Sequence, residues 1–260
     1  MYDDQIKFTN ISKATVFSEP FYHCVVDNFF KEETAFRLEK DFPSFNNDSW
    51  HRYRNALEVK NASNNWNLFP PLTYKVFQFF NGKVFRDLLK NKFDLDCELY
   101  SDNGLHGGGW HMLNKGGKLN PHLDYFIHPK LHLQRKINLI VYLNSEWREE
   151  WGGDFGLWDT AKDSNKAGKL VKTIPPLFNR AVIFETSHSW HGVAKKIDCP
   201  TNHYRKSLAA YYLVDAPKDS SGTRYKALYS PTEEQEGDEA IMSLINKRAS
   251  LSTAQDVWKI

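Results

Sequence analysis

The sequence predicts a mainly β domain of the α+β class, built as a sandwich, barrel or jelly roll with helices before it and a helical tail after it. Short β-prone runs separated by turn signals fill the stretch from Cys97 to Val214, a pattern typical of these folds. A helical spacing of apolar residues precedes that stretch, and a polar segment follows Asp215. The chain has 260 residues and is 41% hydrophobic, which is enough for a sizeable core in a single domain.

The first 95 residues predict helical support and a lid. Phe21 to Phe29 is β-prone, and Lys31 to Phe42 predicts a helix that stops before Pro43. Ser44 to Pro70 is rich in Asn and Ser and predicts a long loop with room for a hairpin; loops of this length are often functional lids. Apolar residues from Leu72 to Asn91 recur at helical spacing, and the Asn81-Gly82 pair is a candidate break.

Residues 96–214 predict the β core. The nine candidate strands, in chain order, are CELYSD, GWHMLN, PHLDYF, INLIVYL, DFGLWD, KLVKTI, RAVIFE, HGVAKK and SLAAYYLV. Residues 215–260 predict a polar tail with one helix near Pro231 to Arg248, and this tail is not expected to carry chemistry. The three parts together are expected to form one domain.

Composition narrows the function classes. Lys plus Arg (34) nearly equal Asp plus Glu (32), a net charge of +2, whereas dedicated nucleic-acid binders usually show a strongly basic face. The three cysteines are widely separated and form no metal-binding pair. No signal-peptide pattern and no apolar run long enough to span a membrane is visible. We therefore expect a cytoplasmic protein that does not bind membranes; the pattern leaves its oligomeric state open.

A candidate metal site begins with the triplet His122-Leu123-Asp124. In an extended backbone, side chains two residues apart point to the same side, so an imidazole and a carboxylate converge. His191, in a late strand-like run, is the candidate third ligand. Two histidines and one carboxylate on one face of a metal leave open positions, as in non-haem Fe(II) oxygenases. His-x-Asp alone is weak evidence, because the chain has 10 histidines.

Arg205 strengthens this interpretation. If the run from Arg205 to Val214 is a strand, Arg205, Ser207, Ala209 and Tyr211 share one face. A guanidinium inside a barrel needs an anion, and a dicarboxylate would receive a two-pronged hydrogen bond that Lys cannot make.

These residues resemble the Fe(II)/2-oxoglutarate-dependent dioxygenases, in particular the prolyl 4-hydroxylase-like branch. The runs INLIVYLNSEW and WGGDFGLWD carry the further likeness, over roughly Leu95 to Val214. The resemblance implies a double-stranded β-helix (jelly-roll, cupin-like) core, with His122, Asp124 and His191 as catalytic Fe(II) ligands. It also implies 2-oxoglutarate as cosubstrate, O₂, and ascorbate as an optional reductant.

For cosubstrate binding, the resemblance implies Arg205 and Tyr142, with Ser207 beside the arginine. Asn138 shares the Tyr142 face by strand alternation. Arg205 follows His191 by fourteen positions, a longer spacing than is usual in this branch, so Lys195 and Lys206 are rival basic residues.

The substrate is the least determined feature. The resemblance favours a prolyl residue in a peptide or protein, and the candidate substrate contacts are Trp50, Tyr53 and Arg54 in the lid and Tyr211 in the last strand. The alternatives are a free amino acid, another small metabolite or a nucleobase. A cupin-like site for a different metal and a non-enzymatic jelly-roll binding domain also remain open, since the fold alone does not define function.

Overall fold

The computed structural model describes residues 6–162, 165–218 and 224–253. In this part of the chain, helices lie mainly near the two ends and strands fill the middle. The α-helices are α1 (Phe8–Lys13), α2 (Glu32–Lys40), α3 (Pro71–Asn81), α4 (Lys83–Lys92) and α5 (Glu239–Ala249). None of the helices in the described ranges is long and apolar enough to cross a membrane.

The strands in the described ranges differ in length, and all of their pairings are antiparallel. They are β1 (Val16–Phe17), β2 (His23–Val26), β3 (His51–Arg54), β4 (Glu58–Ser63), β5 (Tyr100–Ser101), β6 (Gly109–Leu113), β7 (Lys118–Leu119), β8 (His122–Leu123), β9 (Gln134–Tyr142), β10 (Phe155–Thr160), β11 (Ala167–Ile174), β12 (Ala181–Glu185), β13 (Trp190–Val193), β14 (Arg205–Val214) and β15 (Leu228–Tyr229). All nine predicted strands are present, each within or overlapping its predicted run.

Two sheets form the body of the molecule. The larger sheet runs β1-β2-β12-β9-β14-β6-β4-β3, with β5 paired to β14 and β7 to β4. The smaller sheet runs β11-β10-β13-β8-β15. Neighbours that are distant in sequence, such as β9 and β14, therefore lie side by side. This is the double-stranded β-helix, and it confirms the predicted fold class.

Strand alternation assigns opposite roles to the two faces of the larger sheet. On β9, Leu139 and Val141 join the main hydrophobic core with helix residues such as Phe77 and Phe80. On β14, Leu208 belongs to the same core. The intervening side chains point the other way, towards the smaller sheet. Each buried aromatic or aliphatic side chain contributes about 1.5–3 kcal/mol, so the helix-covered face anchors the sheet and the other face can hold polar groups.

The amino-terminal segment is more than helical support. β2 pairs with β12 at one side of the larger sheet, and the β3–β4 hairpin extends the other side by pairing β4 with β6. The loop predicted from Ser44 to Pro70 thus contains the hairpin, and the hairpin is a fixed part of the sheet. Gly82, in an extended conformation (ψ 153°), separates α3 from α4, as the Asn81-Gly82 signal predicts.

The tail also joins the body of the protein. β15 pairs with β8, placing Tyr229 opposite His122, and Asn120 donates a hydrogen bond to the carbonyl oxygen of Ser230. α5 then begins at the N-cap residue Asp238, whose side chain accepts hydrogen bonds from the backbone amides of Ala240 and Ile241. The predicted tail helix is present, but β15 has no strong sequence signal, since it is only two residues long.

Candidate active site

Three buried ligand-type side chains converge between the sheets. His122 and His191 are directly opposite each other on β8 and β13, and their ring centroids are 4.3 Å apart. Asp124 follows β8 by one residue, and its carboxylate oxygens lie 3.7 Å from His122 Nε2 and 3.9 Å from His191 Nε2. One ligand atom from each residue lies within 4.8 Å of the others, a grouping that could hold a metal ion.

Backbone carbonyls orient both imidazoles. His122 Nδ1 lies 3.0 Å from the carbonyl oxygen of Asn120, and His191 Nδ1 lies 2.8 Å from that of Ser189. Because a carbonyl can only accept, each Nδ1 carries the proton and each Nε2 keeps its lone pair. Metal-binding histidines usually have this arrangement. Both Nε2 atoms face Asp124.

The electrostatics of the three groups suit a cation. Burial lowers the pKa of His122 to about 3, with His191 adding to the effect, and burial likewise lowers the pKa of His191. Both rings are therefore neutral at pH 7. Burial alone would raise the pKa of Asp124, but the positive charge of Arg135 holds it below its ordinary value.

The Asp124 carboxylate is only partly satisfied. Its Oδ1 lies 3.3 Å from Nη1 of Arg135, whereas its buried Oδ2 has no hydrogen-bond partner among the described residues. A buried unpaired carboxylate oxygen is costly, and a divalent cation would satisfy it. The donor set of two imidazoles and one carboxylate fits Fe(II) with open coordination positions.

A buried arginine lies on the same side of the larger sheet. Arg205 donates through Nε to the carbonyl oxygen of Gly153 (2.7 Å) and through Nη2 to the hydroxyl of Tyr142 (3.2 Å). It is 6% exposed. In the described ranges, no carboxylate lies within salt-bridge distance of it, in contrast to Arg135 and Arg248. The guanidinium is thus held in position by two hydrogen bonds, but no acidic side chain in the described ranges neutralises its charge.

The neighbours predicted for Arg205 are in place. Ser207 and Asn138 line the cavity together with Arg205, and the buried Oδ1 of Asn138 has no partner among the described residues. Tyr142 lies behind the guanidinium, outside the cavity lining, and burial raises its pKa. Tyr142 is therefore placed to hold Arg205 rather than to contact a ligand directly.

The rival basic residues point elsewhere. Lys206 follows Arg205 on the strand and faces the opposite side, where its Nζ lies 3.8 Å from Glu39. Lys195 is exposed and reaches the carbonyl oxygen of Glu150. Of these three basic residues, only Arg205 lines the cavity.

A cavity of about 490 Å³ joins the triad to Arg205. Two of the four candidate substrate contacts, Tyr53 and Tyr211, line it. Trp50 does not: it is 4% exposed, packs in the main core and donates to the carbonyl oxygen of Ser44. Arg54 turns away from the cavity and donates to the carbonyl oxygen of Lys60 and to Asn61. Strand alternation explains the difference, since Tyr53 faces the cavity and its neighbour Arg54 cannot.

Several cavity residues were absent from the sequence prediction. Arg135 lies between the rings of Tyr125 and Tyr211, with its Cζ 3.5 and 3.4 Å from their centroids, and reaches Asp124. The tail contributes Tyr229, whose ring stacks on His122 at 5.3 Å. The sequence analysis expects no chemistry from the tail, but the tail forms part of the cavity lining. Arg135 lies two residues before the predicted β9 run, and strict alternation would place it on the face of Ile137, opposite to Asn138. The pairing of β9 with β14 is irregular between Tyr212 and Leu213, which face Ile137 and Arg135, so alternation alone could not have placed Arg135 in the cavity.

Comparison with known proteins agrees with this architecture. Residues 108–213 match the family model of the 2OG-Fe(II) oxygenase superfamily. A Pseudomonas putida prolyl-4-hydroxylase is similar in structure, with a TM-score of 0.52 and 13% identity over 75% of this chain and 93% of that chain. A Trichoplax adhaerens prolyl hydroxylase, in complex with a hypoxia inducible factor oxygen degradation domain peptide fragment, has a TM-score of 0.51 and 14% identity over 74% of this chain and 83% of that chain.

Fold and site together define a double-stranded β-helix protein with a candidate metal centre between its sheets. No curated protein matches the sequence. The family match over residues 108–213 spans the three candidate metal ligands and Arg205, and the fold is that of the prolyl 4-hydroxylase-like branch. The match to this superfamily implies a dioxygenase that uses Fe(II) and 2-oxoglutarate.

Proposed function

We propose that His122, Asp124 and His191 hold Fe(II), that Arg205 holds the distal carboxylate of 2-oxoglutarate, and that the chain hydroxylates a prolyl residue of a peptide or protein. The observation that carries the cofactor assignment is that one cavity contains both an unpaired carboxylate oxygen and a guanidinium without a counterion. Asp124 Oδ2 lacks a partner, and Arg205 lacks an acidic side chain among the described residues. A metal ion and a dicarboxylate would satisfy both.

Iron held by His122, Asp124 and His191, together with 2-oxoglutarate, would supply the chemistry: one oxygen atom of O₂ would enter succinate, with loss of CO₂, and the other would enter a substrate C–H bond. The protein prepares the site for this reaction. Because His122 and His191 are neutral at pH 7, their Nε2 lone pairs are available without loss of a proton. Tyr142 and the Gly153 carbonyl hold the guanidinium in one orientation.

The prolyl assignment is supported by the similarity of the fold to two prolyl hydroxylases. Tyr53 and Tyr211 offer aromatic surface at the cavity, which suits an apolar ring. A free amino acid or other small metabolite is the second candidate. The tail favours this second candidate, because Tyr229 and Arg248 line the cavity and leave less room for a peptide to enter. Ascorbate as a reductant stays a prediction.

Succinate release from 2-oxoglutarate under air with Fe(II) tests the function. We expect turnover by the wild type with prolyl peptides, each gaining one oxygen by mass spectrometry. Asp124→Ala should abolish turnover, and Arg205→Ala should lower it by at least about tenfold at limiting 2-oxoglutarate. The absence of both turnover and an anaerobic Fe(II)–2-oxoglutarate charge-transfer band in the wild type would contradict the proposal.

Turnover that rises with a free amino acid but not with any prolyl peptide would favour the second candidate. In that case the oxygenase assignment would stand and the prolyl assignment would be rejected.

A further inference from the structure

The Arg135 side chain is held on three sides where it reaches the candidate metal site. Its Cζ lies 3.5 Å from the centroid of the Tyr125 ring and 3.4 Å from that of the Tyr211 ring, so the guanidinium lies between two aromatic rings. Its Nη2 donates to the carbonyl oxygen of His106. The side chain is 2% exposed. These contacts leave the planar guanidinium one orientation, in which Nη1 lies 3.3 Å from Oδ1 of Asp124.

The loop before β6 presents the carbonyl group that Arg135 binds. The buried carboxylate of Asp102 accepts a hydrogen bond from the backbone amide of His106 (2.8 Å), and the Tyr125 hydroxyl donates to the His106 carbonyl oxygen (3.1 Å). Gly107 follows with φ +80°, and a Cβ there would lie 2.8 Å from Nη2 of Arg135. The loop therefore fixes Arg135 through contacts that do not involve the candidate metal ligands.

The contact between Arg135 and Asp124 differs from an ordinary ion pair of the same chain. Arg180 binds both oxygens of Asp27, with Nε 2.6 Å from Oδ1 and Nη2 3.0 Å from Oδ2, which is the two-pronged pairing typical of arginine and carboxylate. Arg135 approaches Asp124 at Oδ1, whereas Oδ2 has no hydrogen-bond partner among the described residues and lies 3.9 Å from Nε2 of His191. The pair thus leaves one carboxylate oxygen open beside a histidine ligand.

We propose that Arg135 is a positioning residue for the metal: it holds Oδ1 of Asp124, so that Oδ2 is presented to the point that the two histidine Nε2 atoms face. This inference rests on the proposed function, because it takes Asp124 as a metal ligand. Partners that hydrogen-bond to a ligand from behind orient it, and their loss typically weakens metal binding ten- to hundredfold. Without Arg135, the carboxylate would be free to rotate and to bind through both oxygens.

Co(II) is the probe for the test, because it binds nitrogen and oxygen sites more tightly than Fe(II) does. Its visible absorption also reports the number and the geometry of its ligands. The full chain is titrated with Co(II) alone, without 2-oxoglutarate or substrate. The Kd for Co(II) and the spectrum of the bound ion are recorded, and neither readout depends on turnover.

Arg135→Met keeps an unbranched stem between the two rings and removes the group that holds Asp124. We expect the Kd for Co(II) to rise by about ten- to hundredfold and the spectrum of the bound ion to change. Arg86→Met is the matched control, because Arg86 is also largely buried, at 19% exposed, and donates to a backbone carbonyl, that of Leu99, outside the cavity lining. Its Kd and spectrum should match those of the wild type.

A pair of glycine variants tests the same contact while the guanidinium is kept. Gly107→Ala places a Cβ against Nη2 of Arg135, whereas Gly116, with the same φ of +80°, has nothing within 4 Å of the added Cβ. Gly107→Ala should therefore raise the Kd for Co(II), and Gly116→Ala should not. This pair decides the question if Arg135→Met does not fold, because Asp124 keeps its counterion in both glycine variants.

The inference would be overturned by a wild-type Kd and spectrum in Arg135→Met, by equal changes in Arg135→Met and Arg86→Met, or by equal Kd values in the two glycine variants. Each of these results includes Co(II) binding by the wild type, so the proposed metal site would stand. Failure of the wild type to bind Co(II) would overturn the proposed function and this inference together.

Discussion

Arg205 illustrates how much a single side chain depends on its immediate neighbours. Its guanidinium is fixed by the Gly153 carbonyl and the Tyr142 hydroxyl, and its Cζ lies 4.7 Å from the centroid of the Tyr142 ring. These contacts use one donor at Nε and one at Nη2. The remaining donors form a planar fork that matches a carboxylate. The residue is thus preorganised for an anion, and its geometry, not only its charge, should matter.

Arg205→Lys should therefore weaken 2-oxoglutarate binding although it keeps the charge. A lysine lacks the fork, so we expect the Kd for 2-oxoglutarate to rise by at least about tenfold, measured calorimetrically on the Zn(II)-loaded protein. Lys206→Met is the matched control, because Lys206 faces Glu39 on the other side of the strand; its Kd should not change. An unchanged Kd in Arg205→Lys would place the cosubstrate carboxylate elsewhere.

The strand β6 determines how closely the hairpin approaches the rest of the site. It lies between β14 and β4, and so sets the separation between Arg205 and Lys60. Gly109 begins this strand with φ +88°, and a Cβ there would overlap the carbonyl oxygen of Ser63 on β4. Only glycine permits both this conformation and this approach. The pairing of β4 with β6 thus depends on one missing side chain.

Gly109→Ala should destabilise the protein more than Gly116→Ala. Both residues have positive φ, but a Cβ at Gly116 (φ +80°) would have nothing within 4 Å. Gly116→Ala should cost only the conformational term, about 1–2 kcal/mol. Gly109→Ala should cost about 1–3 kcal/mol more, from overpacking against the Ser63 carbonyl. Urea unfolding of the two variants measures the difference, and equal losses would show that β4 moves aside freely.

The stability of the whole molecule should depend on pH through its buried neutral histidines. His23 on β2 is fully buried, its Nδ1 lies 2.8 Å from the carbonyl oxygen of Phe21, and its Nε2 lies 3.2 Å from Lys172 Nζ. Nδ1 therefore carries the proton and Nε2 accepts from the ammonium. Burial lowers the pKa of His23, and the charge of Lys172 acts in the same direction. Below about pH 6.5, His23 binds a proton in the unfolded chain but stays neutral in the folded chain until a lower pH. Acid therefore favours unfolding.

We expect the free energy of unfolding to fall between pH 7 and pH 5, and to fall less in His23→Phe, which removes this titration. Urea unfolding at both pH values measures the two differences. His188→Gln replaces an exposed histidine and should keep the wild-type pH dependence. The other buried histidines titrate in both proteins, so only the difference between variants reports on His23. The same pH dependence in His23→Phe as in the wild type would contradict the assignment.

Local pattern was sufficient to predict much of the fold and of the candidate site. A strand alternates with a period of two, so the sequence determined that Arg205, Ser207 and Tyr211 share a face, and that His122 and Asp124 converge. It also determined the nine core strands and the break near Gly82, since each depends on neighbouring residues along the chain.

Only the tertiary structure decided which distant segments meet at the cavity. It placed Trp50 in the core, turned Lys206 towards Glu39, and brought Tyr229 and Arg248 from the tail to the hairpin. These contacts depend on pairing between segments up to 190 positions apart, as for Glu58 and Arg248. Such pairing is set by the packing of the whole chain, and a local period carries no information about it.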